Sequence, residues 1–169
     1  KLDKAIKGSK YVYHFAAIAD IKESSIDPVN TIEINVLGTC YILDLCVKHG
    51  VQKFLYASTV YVYSNHGSFY RTSKQASELI IENYSKSYNL QCVLLRYGSL
   101  YGKRANHFNS ITKMIKQAIQ EKKIVRSGTG EEIRDYINVK DAAKTSVDLL
   151  KLKELTNHVM ITGNQTMKI

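Results

Sequence analysis

The chain has 169 residues, 44% of them hydrophobic, and a formal net charge of +9. This composition is typical of a soluble globular protein; no apolar run approaches the ~20 residues of a membrane-spanning helix, and no secretory signal is visible. The positive charge is spread out, without the alternation of basic and aromatic residues typical of single-strand binding. It therefore predicts a basic surface suited to an anionic small substrate and argues against nucleic acid as a partner.

The three cysteines, Cys40, Cys46 and Cys92, lie inside apolar patterns. This placement indicates reduced core residues of a cytoplasmic protein. We expect neither a disulfide framework nor a metal site from them.

Short apolar segments alternate with longer amphipathic ones, which predicts an α/β fold built on a parallel sheet. The predicted strands are residues 11–17, 54–58, 91–97, 124–125, 133–139 and 159–162. The predicted helices are residues 28–49, 70–88, 110–122 and 141–150. Shorter, more polar elements follow Tyr101, so we expect a domain boundary that separates residues 1–102 from residues 103–169.

The helix predicted over residues 28–49 has clear end signals. Asp27 and Pro28 suit the N-cap and the first helical position, and Gly50 suits the left-handed residue after a helix. Its predicted apolar stripe is Ile32, Val36, Cys40, Leu43 and Val47. Gly38 inside the helix predicts close packing against a neighbour, because glycine there costs about 1 kcal/mol relative to alanine.

Tyr70 and Lys74 are four residues apart and share one face of the predicted helix. Thr59, at the end of the preceding strand, could meet the Tyr70 phenol. Such a trio can move a proton to and from a carbinol oxygen. A second pair, Tyr136 and Lys140, has the same spacing, so spacing alone does not choose between them.

Several motifs follow one another in a consistent order. They are His14-Phe15-Ala16-Ala17, Asn35-Val36-Leu37-Gly38-Thr39, Ala57-Ser58-Thr59-Val60-Tyr61-Val62-Tyr63, Tyr70-Arg71-Thr72-Ser73-Lys74, Arg96-Tyr97-Gly98-Ser99-Leu100-Tyr101-Gly102, and Gly130 through Arg134-Asp135-Tyr136 to Asp141. The set resembles the extended short-chain dehydrogenase/reductase family of NAD-dependent nucleotide-sugar epimerases and dehydratases, over nearly the whole chain. The resemblance implies a partial Rossmann-like doubly wound sheet over residues 1–102 and part of a smaller substrate-binding lobe over 103–169.

The resemblance also selects Tyr70 over Tyr136, which falls in an extended segment. It implies that Thr59, Tyr70 and Lys74 are catalytic. A free phenol has a pKa of about 10, and the resemblance implies that the Lys74 ammonium lowers it. In the family this lysine also grips the nicotinamide ribose.

Further roles rest on the resemblance alone. It implies an NAD site formed by Phe15, Ala16, Ala17, Ile18, Asn35, Ser58, Tyr70, Lys74 and Tyr97. It implies substrate contacts from Thr59, Gly98 and Arg134, the arginine fork being suited to a diphosphate. Two alternatives stay open: Asn35 as a helix residue that bonds a neighbouring loop, and Arg134 as a member of a surface ion pair.

The chain departs from the family pattern in several places. The glycine-rich turn is absent, so we expect a fragment, and the choice between NAD and NADP stays open. The segment of residues 64–69 is shorter than in relatives. Val60 and Tyr61 replace the Asp-Glu pair of the dehydratases, which disfavours 4,6-dehydration, and Gly98 replaces a common asparagine.

The resemblance implies an NAD(P)-dependent nucleotide-sugar oxidoreductase and favours a 4-epimerase that oxidises C4 of a nucleotide-diphosphate sugar transiently, with NAD as the expected cofactor and NADP not excluded. The alternatives are a one-way nucleotide-sugar reductase or dehydrogenase and a non-catalytic cofactor-binding or assembly protein. By analogy we expect a homodimer through the helices near residues 28–49 and 71–88, with Leu37, Tyr41 and Leu45 facing outward. The sequence leaves the sugar and the nucleotide open.

Overall fold

A computed structural model describes residues 1–106, 109–125, 128–129, 131–152 and 157–168. Within these ranges the helices are α1 (Leu2–Ile6), α2 (Ile21–Ile26), α3 (Pro28–Ile32), α4 (Gly38–Lys48), α5 (Ser68–Tyr88), α6 (Ser110–Glu121) and α7 (Val139–Asp148). The strands are β1 (Tyr11–His14), β2 (Lys53–Thr59), β3 (Gln91–Tyr97), β4 (Ser99–Tyr101), β5 (Ile133–Asn138), β6 (His158–Ile161) and β7 (Thr166–Lys168). A π-helical turn, Glu33–Leu37, joins α3 to α4, and 3-10 turns follow β2 (Val60–Tyr63) and α7 (Leu149–Lys151).

The larger sheet has the strand order β1-β2-β3-β6. β1 and β2 are parallel, with Tyr11 opposite Lys53 and His14 opposite Tyr56. Successive residues of β2, such as Phe54 and Leu55, point to opposite faces, and both are fully buried. A sheet buried on both faces is typical of doubly wound α/β proteins, so the predicted Rossmann-like fold class is confirmed.

The described residues form two compact units. The first comprises Lys1–Arg96 and the short segment of residues 157–159. The second comprises the described residues from Tyr97 to Leu152 and from Met160 onward. The second unit contains a three-stranded sheet in the order β4-β5-β7. In it β4 and β5 are parallel, whereas β5 and β7 are antiparallel.

The core of the first unit lies where α1, α4 and α5 cover one face of the larger sheet. Its buried members come from these helices, from β2 and β3 and from the segments that precede the two strands: Ile6, Leu43, Cys46, Val51, Phe54, Tyr56, Ile81, Leu90, Cys92 and Leu94. All three cysteines are free, as expected. Burying a side chain of this size contributes roughly 1.5–3 kcal/mol, so this cluster fixes the helices on the sheet.

The helical segment from Pro28 to Lys48 begins as predicted, since the Asp27 carboxylate accepts a hydrogen bond from the Asn30 N–H at 3.1 Å. Its predicted apolar stripe is only partly correct. The fully buried positions of its first half carry Thr31, Asn35 and Thr39, each under 2% exposed. Their polar groups are satisfied locally or by a neighbouring loop, so burial costs little there.

Other predicted boundaries change. β1 ends at His14 and not at residue 17, and Ile124 and Val125 are exposed and outside any strand. Helix α6 matches its prediction closely, whereas α2, β4 and β7 were not predicted. Gly130, which begins one of the motifs, lies outside the described residues.

Gly38 and Gly98 are expected to respond oppositely to alanine. At Gly38 an added Cβ would meet only the Glu33 carbonyl oxygen, at 3.7 Å, so the predicted close packing is wrong. At Gly98 the Cβ would lie 2.5 Å from the Asp135 carbonyl oxygen. Urea unfolding should therefore show Gly38→Ala stabilised by about 0.5–1 kcal/mol and Gly98→Ala destabilised by about 1–3 kcal/mol. Equal effects would contradict this assignment.

Candidate active site

The end of β2 and the first turns of α5 bring Thr59, Tyr70 and Lys74 together. Helix α5 begins after Gly67, whose φ of +111° is left-handed and favours glycine. The Tyr70 N–H donates to the Ser24 hydroxyl at 3.1 Å, which ties this helix start to α2. The structure thus brings the three residues to the same end of β2, and their catalytic role stays a prediction.

The Tyr70 side chain is half-buried, and its phenol lies near the Thr59 hydroxyl. Burial raises the pKa of Tyr70, while the nearby Thr59 hydroxyl acts in the opposite direction. The predicted lowering of this pKa by Lys74 is therefore not what the structure shows, because desolvation of the phenolate outweighs the opposing effects. Thr59 also accepts a hydrogen bond from the Tyr61 N–H at 3.2 Å, which fixes its side chain.

Lys74 is 3% exposed. Its Nζ donates to the Ala57 carbonyl at 2.7 Å and lies 4.5 Å from the centroid of the Tyr56 ring and 6.0 Å from that of Tyr70. Burial lowers the pKa of Lys74 to about 8, and the negative charge of Glu78 acts against this shift. A lysine buried in this way costs folding free energy, which is typical of a functional site.

The segment after β1 presents exposed backbone at the end of a parallel strand, where dinucleotides bind in folds of this class. Phe15 is 59% exposed and its ring stacks on Tyr13, with centroids 6.0 Å apart. Ala16 is exposed and Ala17 half-buried. Their assignment to a cofactor site stays a prediction.

Asn35 bonds the loop after β1. Its Oδ1 accepts the Ile18 N–H at 2.8 Å, and its Nδ2 donates to the Ile18 carbonyl at 3.0 Å and to the Ser73 hydroxyl at 2.9 Å. The loop-bonding alternative for Asn35 is thus what the structure shows. Asn35 and Ile18 together hold the loop between β1 and α2 against α5.

Ser58 directs its hydroxyl into the protein, where it donates to Glu78 Oε1 at 2.5 Å. It is 4% exposed. The described bond of the Ser58 hydroxyl therefore goes to α5, and it supports the neighbouring residue Thr59.

Three predicted site residues belong to the second unit. The Tyr97 hydroxyl and the Ser146 hydroxyl are 2.6 Å apart, and burial raises the pKa of Tyr97. The Gly98 N–H donates to the Ile161 carbonyl at 3.0 Å. Arg134 is half-buried on β5 and its Nη1 donates to the Ile133 carbonyl at 2.8 Å.

The sequence prediction missed His14 as a member of the polar interior. His14 Nε2 lies 3.0 Å from the Thr39 hydroxyl, and burial, with a smaller effect of Lys74, lowers the pKa of His14 to about 4. This histidine is therefore neutral near pH 7. His14 is the first residue of the His-x-Ala-Ala motif, and its place in that motif is the sequence signal that could have pointed to it.

The short segment before α5 is tied to the helix by two side chains. Arg71 Nη1 donates to the Ser64 carbonyl at 2.5 Å, and Gln75 Nε2 donates to the Val62 carbonyl at 2.8 Å. His66 is exposed. These two bonds hold the segment between the 3-10 turn and α5 against the helix.

Two kinds of feature are absent from the part of the chain that the structure describes. No group of three or more potential metal-ligating side chains was found there. No helix in the same part of the chain combines the length and the apolar character that crossing a bilayer requires.

Comparison with known proteins identifies the family. The profile of the NAD dependent epimerase/dehydratase family matches residues 1–161, and the chain belongs to this family. The predicted family and the predicted association with NAD are thereby confirmed at the level of the family.

Individual relatives include both reaction types. The chain is 32% identical to a putative UDP-glucose 4-epimerase of Methanocaldococcus jannaschii, covering 98% of this chain and 60% of that protein. It is 26% identical to a dTDP-glucose 4,6-dehydratase of Streptomyces antibioticus, covering 98% and 53%. The chain thus spans about half the length of the curated relatives it matches.

Among solved structures, UDP-glucuronic acid 4-epimerase from Bacillus cereus in complex with UDP-glucuronic acid and NAD has a TM-score of 0.91 at 26% identity. The alignment covers 99% of this chain and 58% of that one. This similarity agrees with the Rossmann-like fold described above.

Lys74 should make the unfolding free energy depend on pH. Because its pKa falls from 10.5 to about 8 in the folded protein, the unfolded chain binds more protons between these values. Stability should therefore fall as the pH drops from 10.5 towards 8, by up to about 1.4 kcal/mol per pH unit. Urea unfolding of Lys74→Met should lack this component.

The exposed Lys86 on the same helix provides the control. Lys86→Met should keep the pH dependence of the wild type. An identical pH profile for Lys74→Met and the wild type would contradict the buried ammonium.

Proposed function

We propose that this chain forms the catalytic part of an NAD-dependent sugar-nucleotide 4-epimerase. The observation that carries the proposal is the grouping of the Thr59 hydroxyl, the Tyr70 phenol and the Lys74 ammonium at the junction of β2 and α5. The similarity of this chain to the Methanocaldococcus jannaschii and Bacillus cereus proteins also supports the proposal.

In this proposal Tyr70 moves the proton of the sugar C4 hydroxyl. The Thr59 hydroxyl, near the same phenol, orients the sugar oxygen and shares the proton. Lys74 supplies the positive charge that favours the phenolate, and burial of the phenol acts against it. The configuration at C4 would be inverted because the hydride would return to the opposite face of the ketone after the sugar has turned, and Tyr70 would then give the proton back to the C4 oxygen.

The donor set fits a nicotinamide dinucleotide. Lys74 offers ammonium hydrogens for a ribose, and the exposed backbone after β1 lies at the edge where such cofactors bind. When bound, NAD supplies a hydride acceptor that also returns the hydride. We propose NAD over NADP from the family and from the NAD-bound structural relatives.

Epimerisation is favoured over 4,6-dehydration by the residues after Thr59. Val60 and Tyr61 begin the 3-10 turn there, and neither supplies a carboxylate to take a proton from one carbon and give one to a leaving hydroxyl. Arg134 and Gly98 are proposed substrate contacts, the arginine for the diphosphate. The substrate is therefore proposed to be a nucleoside-diphosphate sugar.

Tyr70→Phe removes only the hydroxyl that moves the proton. We expect turnover of UDP-sugars to fall by about 10²–10⁴-fold while NAD binding changes little. Turnover by coupled assay and NAD binding by calorimetry measure the two effects.

The matched control is Tyr84→Phe on the same helix, whose hydroxyl donates to Asp44 at 2.6 Å at the surface. It should keep full turnover. Wild-type turnover in Tyr70→Phe would contradict the proposed role of Tyr70 in proton transfer. Net consumption of NADH with each product formed would instead establish the one-way reductase, since an epimerase returns its hydride.

We also propose that the protein is a homodimer through α4 and α5. Leu37 and Tyr41 are 47% and 65% exposed, and Leu79 on α5 is 62% exposed. Leu45, expected to face outward with them, packs against the core cluster. The exposed apolar side chains on α4 and α5 and on the turn before α4 are available to a partner.

Tyr41→Asp places a charge in this proposed interface. Sedimentation should show the wild type as a dimer and Tyr41→Asp as a monomer, because an unpaired charge opposes burial. Ile119→Asp, at a 66% exposed position on α6, should remain dimeric. A monomeric wild type contradicts the proposal.

A further inference from the structure

Three consecutive residues of β2 contact three residues on one face of α5. The Ala57 carbonyl accepts from Lys74 Nζ at 2.7 Å, the Ser58 hydroxyl donates to Glu78 at 2.5 Å, and the Thr59 hydroxyl lies near the Tyr70 phenol. The residues on α5 follow one another at intervals of four, so they form one row along the helix. Glu78 extends this row by one turn beyond the proposed catalytic pair.

Glu78 is itself held by Arg96 on β3. Arg96 Nε donates to Oε1 at 3.0 Å and Nη2 donates to Oε2 at 2.7 Å, a bidentate pair. The two side chains are only 8% and 10% exposed. Arg96 Nη1 also donates to the Tyr63 hydroxyl, at the end of the 3-10 turn that follows Thr59.

We propose that Glu78 is a positioning residue of this active site: locked by Arg96, it holds Ser58 so that Thr59 stays opposite Tyr70, and it supplies the negative charge one helical turn from the Lys74 ammonium. The proposal rests on the function proposed above, because it assigns Glu78 a role through Thr59 and Lys74. Glu78 touches neither substrate nor cofactor in this role.

The first part of the role is geometric. Ser58 and Thr59 are adjacent on β2, so the bond from Ser58 to Glu78 fixes the distance between the end of the strand and the helix. Misplacing a catalytic group by about 1 Å can cost about 100-fold in rate. The buried Arg96 partner leaves Glu78 little freedom to move.

The second part is electrostatic. The titratable or charged groups that face Lys74 are Tyr70 and Glu78 on α5, Tyr56 on β2 and His14 on β1. Arg96 on β3 faces Glu78 from the other side. His14 is neutral near pH 7, and burial raises the pKa of Tyr56, so Glu78 is the carboxylate among these groups. Its charge keeps the pKa of Lys74 from falling further.

Glu78→Gln tests both parts while keeping the side-chain shape. Turnover should fall by about 100-fold, and the Lys74 ammonium should titrate at lower pH, followed by NMR of ¹³C-labelled lysine. The high-pH limb of the rate profile should move to lower pH with it. Ser58→Ala removes the bond but no charge, so turnover should fall while Lys74 titrates as in the wild type.

Glu82→Gln, one turn further along α5, is the matched control and should change neither measurement. Glu78→Asp keeps a carboxylate for Arg96 on a shorter side chain. It should restore the Lys74 titration but not full turnover. This variant keeps the test decisive if Gln at position 78 prevents folding.

A fall in turnover with an unchanged Lys74 titration in Glu78→Gln overturns the proposal, because lost packing alone gives that result. Wild-type turnover in Glu78→Asp or in Ser58→Ala overturns the positioning role. The Lys74 titration needs no catalysis, so it separates failure of this inference from failure of the epimerase proposal, which is detected by Tyr70→Phe.

Discussion

The contact between the end of β2 and one face of α5 is the constraint on which this site depends. The strand and the helix are separate in sequence and meet because both contribute to one apolar core, with Phe54 and Ile81 as members. Once they are packed, Lys74 is only 3% exposed and its ammonium donates to the Ala57 carbonyl. The same packing desolvates Tyr70 and opposes its ionisation. The core therefore positions the proposed catalytic groups and shifts their pKa values.

Polar residues in the interior complete this arrangement. The fully buried positions in the first half of the helical segment from Pro28 to Lys48 are Thr31, Asn35 and Thr39. The sequence pattern predicted an apolar stripe on the buried face of this segment. Asn35 instead satisfies both backbone groups of Ile18 and reaches Ser73 on α5. Buried polar groups with all partners in place specify one arrangement of the chain. Here they fix the loop after β1, beside the proposed cofactor edge.

Membership of the epimerase/dehydratase family does not by itself tell a 4-epimerase from a 4,6-dehydratase. Relatives of similar identity include a 4-epimerase and a 4,6-dehydratase, so overall similarity does not separate the two. The positions after Thr59 do bear on it, because Val60 and Tyr61 carry no carboxylate.

The sequence by itself determined the α/β class, most helices and strands, the family, and the grouping of Thr59, Tyr70 and Lys74. These features depend on local periodicity, end signals and ordered motifs, all of which are written along the chain. Only the tertiary structure decided that burial raises the pKa of the Tyr70 phenol, that Ser58 faces Glu78, and that Gly38 has free space beside it. Desolvation and close approach depend on which distant residues surround a group, and spacing in one sequence does not encode that.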